Sequence, residues 1–129
     1  MKKFIYPIVF GLLILIAGIF VSEAYNLYYL IPPIDKLYHF LGGFALAWLF
    51  YSYLAADIFN FSKFKRILAI VSIVCLIGVF WEYAERLSTI YSPQHLPVLY
   101  HWFHGGDLND TLLYILADIT GGLFFAIFI

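Results

Sequence analysis

Long apolar stretches constrain this chain more than any other feature of its sequence. A bilayer core needs about 20 apolar residues per helix, and four stretches reach that length when their polar ends enter the interface. Backbone in lipid must satisfy its hydrogen bonds internally, so helices are the expected solution. The sequence therefore predicts an all-α fold, a four-helix transmembrane bundle in one integral membrane domain over residues 1–129. The helices are expected at about residues 4–22, 35–56, 66–88 and 107–129.

Composition supports a membrane protein and excludes some partners. The 129 residues are 64% hydrophobic, too apolar for a soluble fold of this length to bury, and only 12% are charged. The net charge of -1 and the lack of a basic stripe predict no nucleic-acid partner. Cys75 is the only cysteine, so no internal disulfide can form, and it lies in an apolar run where a small buried side chain is expected.

The basic residues predict the topology. Lys2 and Lys3 precede the first stretch, whereas Lys63, Lys65 and Arg66 lie between the second and third. Short loops rich in Lys and Arg remain cytoplasmic. Both termini are therefore expected in the cytoplasm, in a multi-pass protein of the cell membrane.

The first stretch has a second interpretation. Two lysines before an apolar run, with Ser22-Glu23-Ala24 after it, also resemble a secretory signal peptide. The run is longer than the roughly 7–15 residues of an ordinary signal core, which favours a spanning helix.

Acidic residues and histidines concentrate at the predicted outer end of the bundle. Seven of the eight acids and all four histidines fall there. They are Glu23, Asp35, Glu82, Glu85, Asp107, Asp110, Asp118, His39, His95, His101 and His104. Each charged group within a membrane costs on the order of several kcal/mol unless it is paired or hydrated. The clustering therefore predicts a polar site.

Spacing places several of these groups on shared helix faces. Asp35 and His39 are four residues apart, so both side chains lie on one face of the second helix. Asp110 and Asp118 lie on one face of the fourth helix, eight residues apart. Glu82 follows a long apolar run directly, which predicts that it lies below the headgroups and needs a partner, a proton or a metal.

Three of these segments resemble elements of known membrane-protein families. D-K-L-Y-H-F-L-G-G-F at residues 35–44 resembles the D-K-x-x-H-F signature of VanZ-like and related small polytopic membrane proteins. W-E-Y-A-E at 81–85 and D-T-L-L-Y-I-L-A-D-I-T-G-G at 110–122 resemble the glutamate and aspartate elements of the DUF2238 (YjdF-like) branch. Tyr114 stands where that branch is expected to have the middle acid. The resemblance implies a membrane protein of poorly defined activity.

The first functional hypothesis is a metal-dependent site that faces the outer leaflet. The candidate ligands are His39, Glu82, Asp110, Asp118, Asp35 and His104. An imidazole with carboxylates suits zinc, manganese or iron, whereas carboxylates alone suit magnesium or calcium. A metal-bound water could hydrolyse a lipid or lipid-linked ester or phosphoester, with Glu82 and Asp118 as the catalytic acids.

Two other hypotheses stay open. In a proton- or ion-linked binder or transporter, Asp118, Tyr114, Asp110 and His39 would form a relay, and a homo-oligomer would be needed to build a transporter from four helices. In a structural protein, the acids would pair with Lys36 and Arg86 and fix helix packing. The metal hypothesis requires His39, Glu82 and Asp110 to lie within reach of one ion.

The topology generates a direct test by cysteine accessibility in a Cys75→Ala background. We expect Gln94→Cys to react with an impermeant thiol reagent added to intact cells, and Phe64→Cys to react only after lysis. The reason is that residue 94 lies in a predicted outer loop and residue 64 in a basic inner one. Labelling of position 64 alone from outside would reverse the orientation.

Overall fold

The computed structural model describes residues 2–95 and 106–129 as an assembly of helices without strands in those residues. The all-α prediction is confirmed. The elements are α1 (Lys2–Ile16), a π-helical turn (Ala17–Val21), α2 (Ser22–Ala24), α3 (Leu27–Leu30), α4 (Ile34–Leu54), α5 (Lys63–His95) and α6 (Leu108–Ile127).

Three helices in the described residues are long and apolar enough to cross a membrane. They cover Lys3–Val21, Lys63–Tyr91 and Leu108–Ile127. Many large apolar side chains on α1, α5 and α6 are exposed, among them Leu13, Phe80 and Leu116. Such surfaces are unfavourable in water and suit contact with lipid. The structure thus supports a membrane protein with three candidate spans, and it does not by itself establish α4 as a fourth.

Helix ends follow from local chemistry. Pro33 lies directly before α4, and Asp107 caps α6 by accepting hydrogen bonds from the backbone N–H groups of Asn109 at 2.8 Å and Asp110 at 3.0 Å. An aspartate at this position satisfies donors that the helix cannot use internally. α5 continues past the predicted end at residue 88, and the Thr89 hydroxyl bonds to the Glu85 carbonyl within it at 2.9 Å.

The closest helix crossing joins α4 to α6 through two glycines. A Cβ atom on Gly43 would overlap the backbone carbonyl of Asp118, and one on Gly121 would overlap the carbonyl of Phe40. The two contacts are reciprocal, because each glycine lies three residues after the carbonyl that meets the other. Small residues let membrane helices approach this closely and gain packing along their whole length.

The core lies on the other side of this crossing from the polar cluster. Ala47 of α4, Ile70 and Val74 of α5, and Ala126 of α6 are fully buried together. Gly122 adds to this contact, since a Cβ there would lie 3.0 Å from a methyl group of Val74. α4, α5 and α6 therefore form a packed three-helix unit.

α1 packs on the outer side of this unit, against α4. The Phe10 ring lies edge-on to that of Phe44, with 6.1 Å between centroids. Near the π-helical turn, the Ser22 hydroxyl donates to the Tyr38 hydroxyl at 2.9 Å, and the Tyr28 hydroxyl donates to the Gly18 carbonyl at 2.7 Å. Burial and the charge of Asp35 raise the pKa of Tyr28 to about 12, so it remains a donor at neutral pH.

Adjacent glycines on α4 provide a matched test of the crossing. Gly43→Ala should lower stability by about 1–3 kcal/mol or more, because its Cβ meets backbone that cannot move aside. Gly42→Ala should be nearly neutral, since nothing lies within 4 Å of a Cβ there. Thermal unfolding in detergent measures both, and equal melting temperatures would show that the close crossing is not needed.

Candidate polar site within the helices

His39 on α4 lies between two carboxylates from different helices. Its Nδ1 atom is 3.3 Å from Oδ1 and 3.4 Å from Oδ2 of Asp118 on α6. Its Nε2 atom is 3.8 Å from Oε1 of Glu82 on α5. Asp118 and Glu82 are only 6% and 4% exposed, so both carboxylates are almost completely buried.

Glu82 is the least satisfied member of this cluster. Both of its carboxylate oxygens are buried and have no hydrogen-bond partner among the described residues. Thr111 interacts with this carboxylate, but its hydroxyl does not reach hydrogen-bond geometry. Because a buried charge is costly unless it is paired, an ionised Glu82 needs a positive charge beside it, and the imidazolium of His39 is the nearest group that can supply one.

Tyr114 and Lys36 cover His39 from the end where α6 begins. The Tyr114 ring stacks on the imidazole, with 4.5 Å between centroids and 6° between planes. The Lys36 ammonium lies 5.3 Å from the centre of the Tyr114 ring and 3.7 Å from Oδ1 of Asp110. Tyr114 therefore fixes the imidazole plane, and Lys36 and Asp110 form a half-exposed pair above it.

Close helix packing places Asp118 against the imidazole. The Gly43–Asp118 backbone contact is one helical turn from His39 on α4. On α5, a Cβ at Gly78 would lie 2.6 Å from Oδ2 of Asp118, so the glycine leaves the space that this oxygen occupies. Gly78 also precedes Glu82 by four residues, which puts both on one face of α5.

A cavity of about 390 Å³ lies beside the site, between α1, α4 and α5. Most of its wall is apolar, and the acids and histidine that line it are Asp35, His39, Glu85 and Asp118. Glu82 does not line the cavity. His39 therefore contacts the cavity on one side and the enclosed Glu82 carboxylate through its Nε2 atom.

The predicted site residues separate into three groups. The structure brings together His39, Glu82 and Asp118, and it places Asp35 on the cavity wall. Asp110 pairs instead with Lys36. His104 and His101 lie outside the described residues.

Sequence reasoning missed one residue of this cluster and one contact. Tyr114 is a member of the relay in the proton-linked hypothesis, but the stacking of its ring on His39 was not expected. Gly78 was not predicted to be part of the site. It lies four residues before Glu82, so it is a small residue on the same face of α5. That spacing was the available signal for Gly78, and the spacing between Asp110 and Asp118 was the signal for Tyr114.

No metal-ligand group is preformed in the part of the chain that the structure describes. There, no three His, Cys, Asp or Glu side chains converge on one point. The two carboxylates contact opposite nitrogens of the imidazole. An ion bound to one nitrogen of His39 therefore cannot be bound by both carboxylates.

These features define an integral membrane protein of helical fold with a His/carboxylate site between its helices. The family model described as "Predicted membrane protein (DUF2238)" matches residues 2–129. The chain belongs to this family, which confirms the DUF2238 part of the resemblance, whereas the VanZ-like part is not confirmed. No curated protein and no solved structure matches the chain.

The contacts of Asp118 predict which carboxylate matters more for folding. Asp118→Asn should lower stability by about 1.5–3 kcal/mol, because it removes a charged acceptor from buried His39 Nδ1. Glu85→Gln should cost less than about 1 kcal/mol, since the Glu85 side chain is only half-buried and borders the cavity.

Thermal unfolding in detergent at equal expression measures both changes. Asp57→Asn, in the exposed connection between α4 and α5, is the reference for an acid outside the site. Equal effects of Asp118→Asn and Asp57→Asn would show that the contact of Asp118 with His39 does not stabilise the fold.

Proposed function

We propose that this protein uses His39, Glu82 and Asp118 as an intramembrane acid–base site that acts on a lipid or lipid-linked molecule. The observation that carries this proposal is the position of His39, whose two nitrogens face separate buried carboxylates. Ionisable groups at such depth are expensive to retain and usually mark a functional site.

The proposal includes a fourth spanning helix. α4 has 21 residues, about 31 Å of helix, which matches the hydrocarbon core. It packs along both α1 and α6, each of which is a candidate span. Its tyrosines and tryptophan reduce its hydropathy without adding charge to its second half. We therefore place four helices across the cell membrane, with both termini in the cytoplasm.

Asp118 and Glu82 have different roles in this scheme. By accepting the Nδ1 hydrogen, Asp118 holds the imidazole in the tautomer whose Nε2 lone pair points toward Glu82. Asp118 is thus a positioning residue. His39 and Glu82 then exchange a proton. A water at Nε2 would attack the ester or phosphoester and pass its proton to this pair, and the pair would return a proton to the leaving oxygen as its bond breaks.

A divalent ion is supported by the distance between the two groups. The 3.8 Å from Nε2 to Oε1 is too long for a hydrogen bond, and these two side chains would hold the ion, which would supply a Lewis acid and an activated water. Both Glu82 oxygens also lack a hydrogen-bond partner among described residues. With His39 as a ligand the ion would be zinc, manganese or iron; magnesium or calcium would require the carboxylates alone.

In the metal-dependent form, the protein is a membrane hydrolase. Asp118 would then accept from the far nitrogen of the metal-bound histidine, an arrangement that raises ligand basicity. Water or substrate would complete the coordination shell. In the metal-free form, the same three side chains share protons, and the protein is a proton-linked binder or transporter. The carboxylates on the two sides of His39 support this form as well as they support the metal-dependent one.

Metal analysis separates these forms. Protein purified in detergent without chelator or added metal should carry about one divalent ion per chain, measured by plasma mass spectrometry. Glu82→Gln and His39→Ala should remove it, and Asp118→Asn should weaken metal affinity by about 10–100-fold because it acts through His39. Asp57→Asn should retain it.

A metal-free wild type that also fails to take up zinc or manganese would overturn the metal-dependent form. The proton-sharing form then predicts an infrared band from a protonated buried carboxyl group that disappears in Glu82→Gln and remains in Asp57→Asn. Absence of both the ion and this band would leave the cluster with only a structural role.

A further inference from the structure

We propose that the cavity between α1, α4 and α5 is a lateral groove that holds one acyl chain of an amine-headed membrane lipid beside His39. The proposal deepens the proposed function and rests on it, because it names the class of lipid that reaches the site. The groove itself is defined by packing that is independent of any chemistry at Glu82.

The groove follows from how α1 is attached. α1 packs on α4 through Phe10 and the turn near Ser22, and the space left toward α5 is the cavity. Its walls are aliphatic side chains from all three helices. They include Ile8, Leu12 and Leu15 of α1, Leu46 and Leu49 of α4, and Ile77 of α5.

The dimensions fit a hydrocarbon chain that lies parallel to the helices. The lining residues on α4 extend from Asp35 to Leu49, about 21 Å along the helix axis. The volume of about 390 Å³ lies in the range of small-molecule sites. In a bilayer, the material that contacts such an apolar opening is lipid, because water gains no hydrogen bonds there.

Charge at one end of the groove selects the headgroup. Asp35 and Glu85 line the end nearest the start of α4, and Asp118 lies one level deeper beside His39. Lys36 is engaged with Asp110 and does not line the groove. An ammonium headgroup would donate hydrogen bonds to these carboxylates, whereas an anionic headgroup would be repelled.

Gly42 provides a specific way to fill the groove. It lines the cavity, and a Cβ added there meets no atom within 4 Å. A large side chain at this position can therefore enter the cavity without moving a helix. Leu37, on the same helix, is exposed and does not line the cavity, so it offers a matched control.

The experiment uses the full chain in lipid vesicles with phosphatidylethanolamine that carries a photoreactive diazirine in one acyl chain. After illumination, peptide mapping should find labelled residues on the groove walls. Gly42→Phe should reduce this labelling at least about fivefold by occupying the space of the chain, and Leu37→Phe should leave it unchanged. Leu12→Trp, which fills the groove from α1, should also reduce it if Gly42→Phe fails to fold.

A second probe tests the headgroup. Phosphatidylglycerol with the same photoreactive chain should label the groove several-fold less, because its phosphate carries an uncompensated negative charge. Equal labelling by the two lipids would overturn the headgroup assignment. Equal labelling of wild type, Gly42→Phe and Leu12→Trp would overturn the groove itself and reduce the labelling to general lipid contact.

Glu82→Gln distinguishes failure of this proposal from failure of the proposed function. Glu82 does not line the groove, so this variant should retain groove labelling while losing the ion or the carboxyl band. Gly42→Phe should show the reverse. Loss of labelling in Glu82→Gln, with its melting temperature preserved, would contradict the independence of the two.

Discussion

The geometry of this protein depends on two glycines where α4 crosses α6. Gly43 and Gly121 each leave room for a backbone carbonyl of the other helix, so that backbone meets backbone at two points. No side chain larger than hydrogen permits this distance. The same contact fixes the height of Asp118 relative to His39, because Asp118 supplies one of the two carbonyls. The crossing of α4 and α6 therefore determines both the close packing of these helices and the position of the Asp118 carboxylate.

The buried polar cluster is tolerated because its side chains contact and partly neutralise one another. A carboxylate transferred alone into an apolar interior would cost many times the stability of a small domain. Asp118 faces His39 Nδ1, and the stacked ring of Tyr114 fixes the imidazole plane. Glu82 breaks this pattern, since its oxygens have no hydrogen-bond partner among the described residues. In the proposed function, this carboxylate is the group at which a proton or an ion would be exchanged.

The site and the cavity share His39 and Asp118. Both residues line the cavity, and His39 also faces the enclosed Glu82 carboxylate. A molecule in the cavity could therefore contact these two side chains without touching Glu82. α1 contributes walls to the cavity and no titratable group to the cluster. The three-helix unit of α4, α5 and α6 thus holds the His/carboxylate cluster, and α1 forms part of the wall of the adjacent cavity.

The sequence alone determined the helical class, the membrane setting, the concentration of acids and histidines, and the candidacy of His39, Glu82 and Asp118. These follow from local properties: apolar length, helical period and the cost of charge in lipid. Only the tertiary structure decided that Asp110 turns to Lys36, that Glu82 lacks a hydrogen-bond partner among the described residues, and that a cavity separates α1 from α5. Helical period fixes which residues share a face but not how far each helix is rotated or how closely it approaches its neighbour. Those quantities depend on contacts such as Gly43 with Asp118, which join residues far apart in the chain.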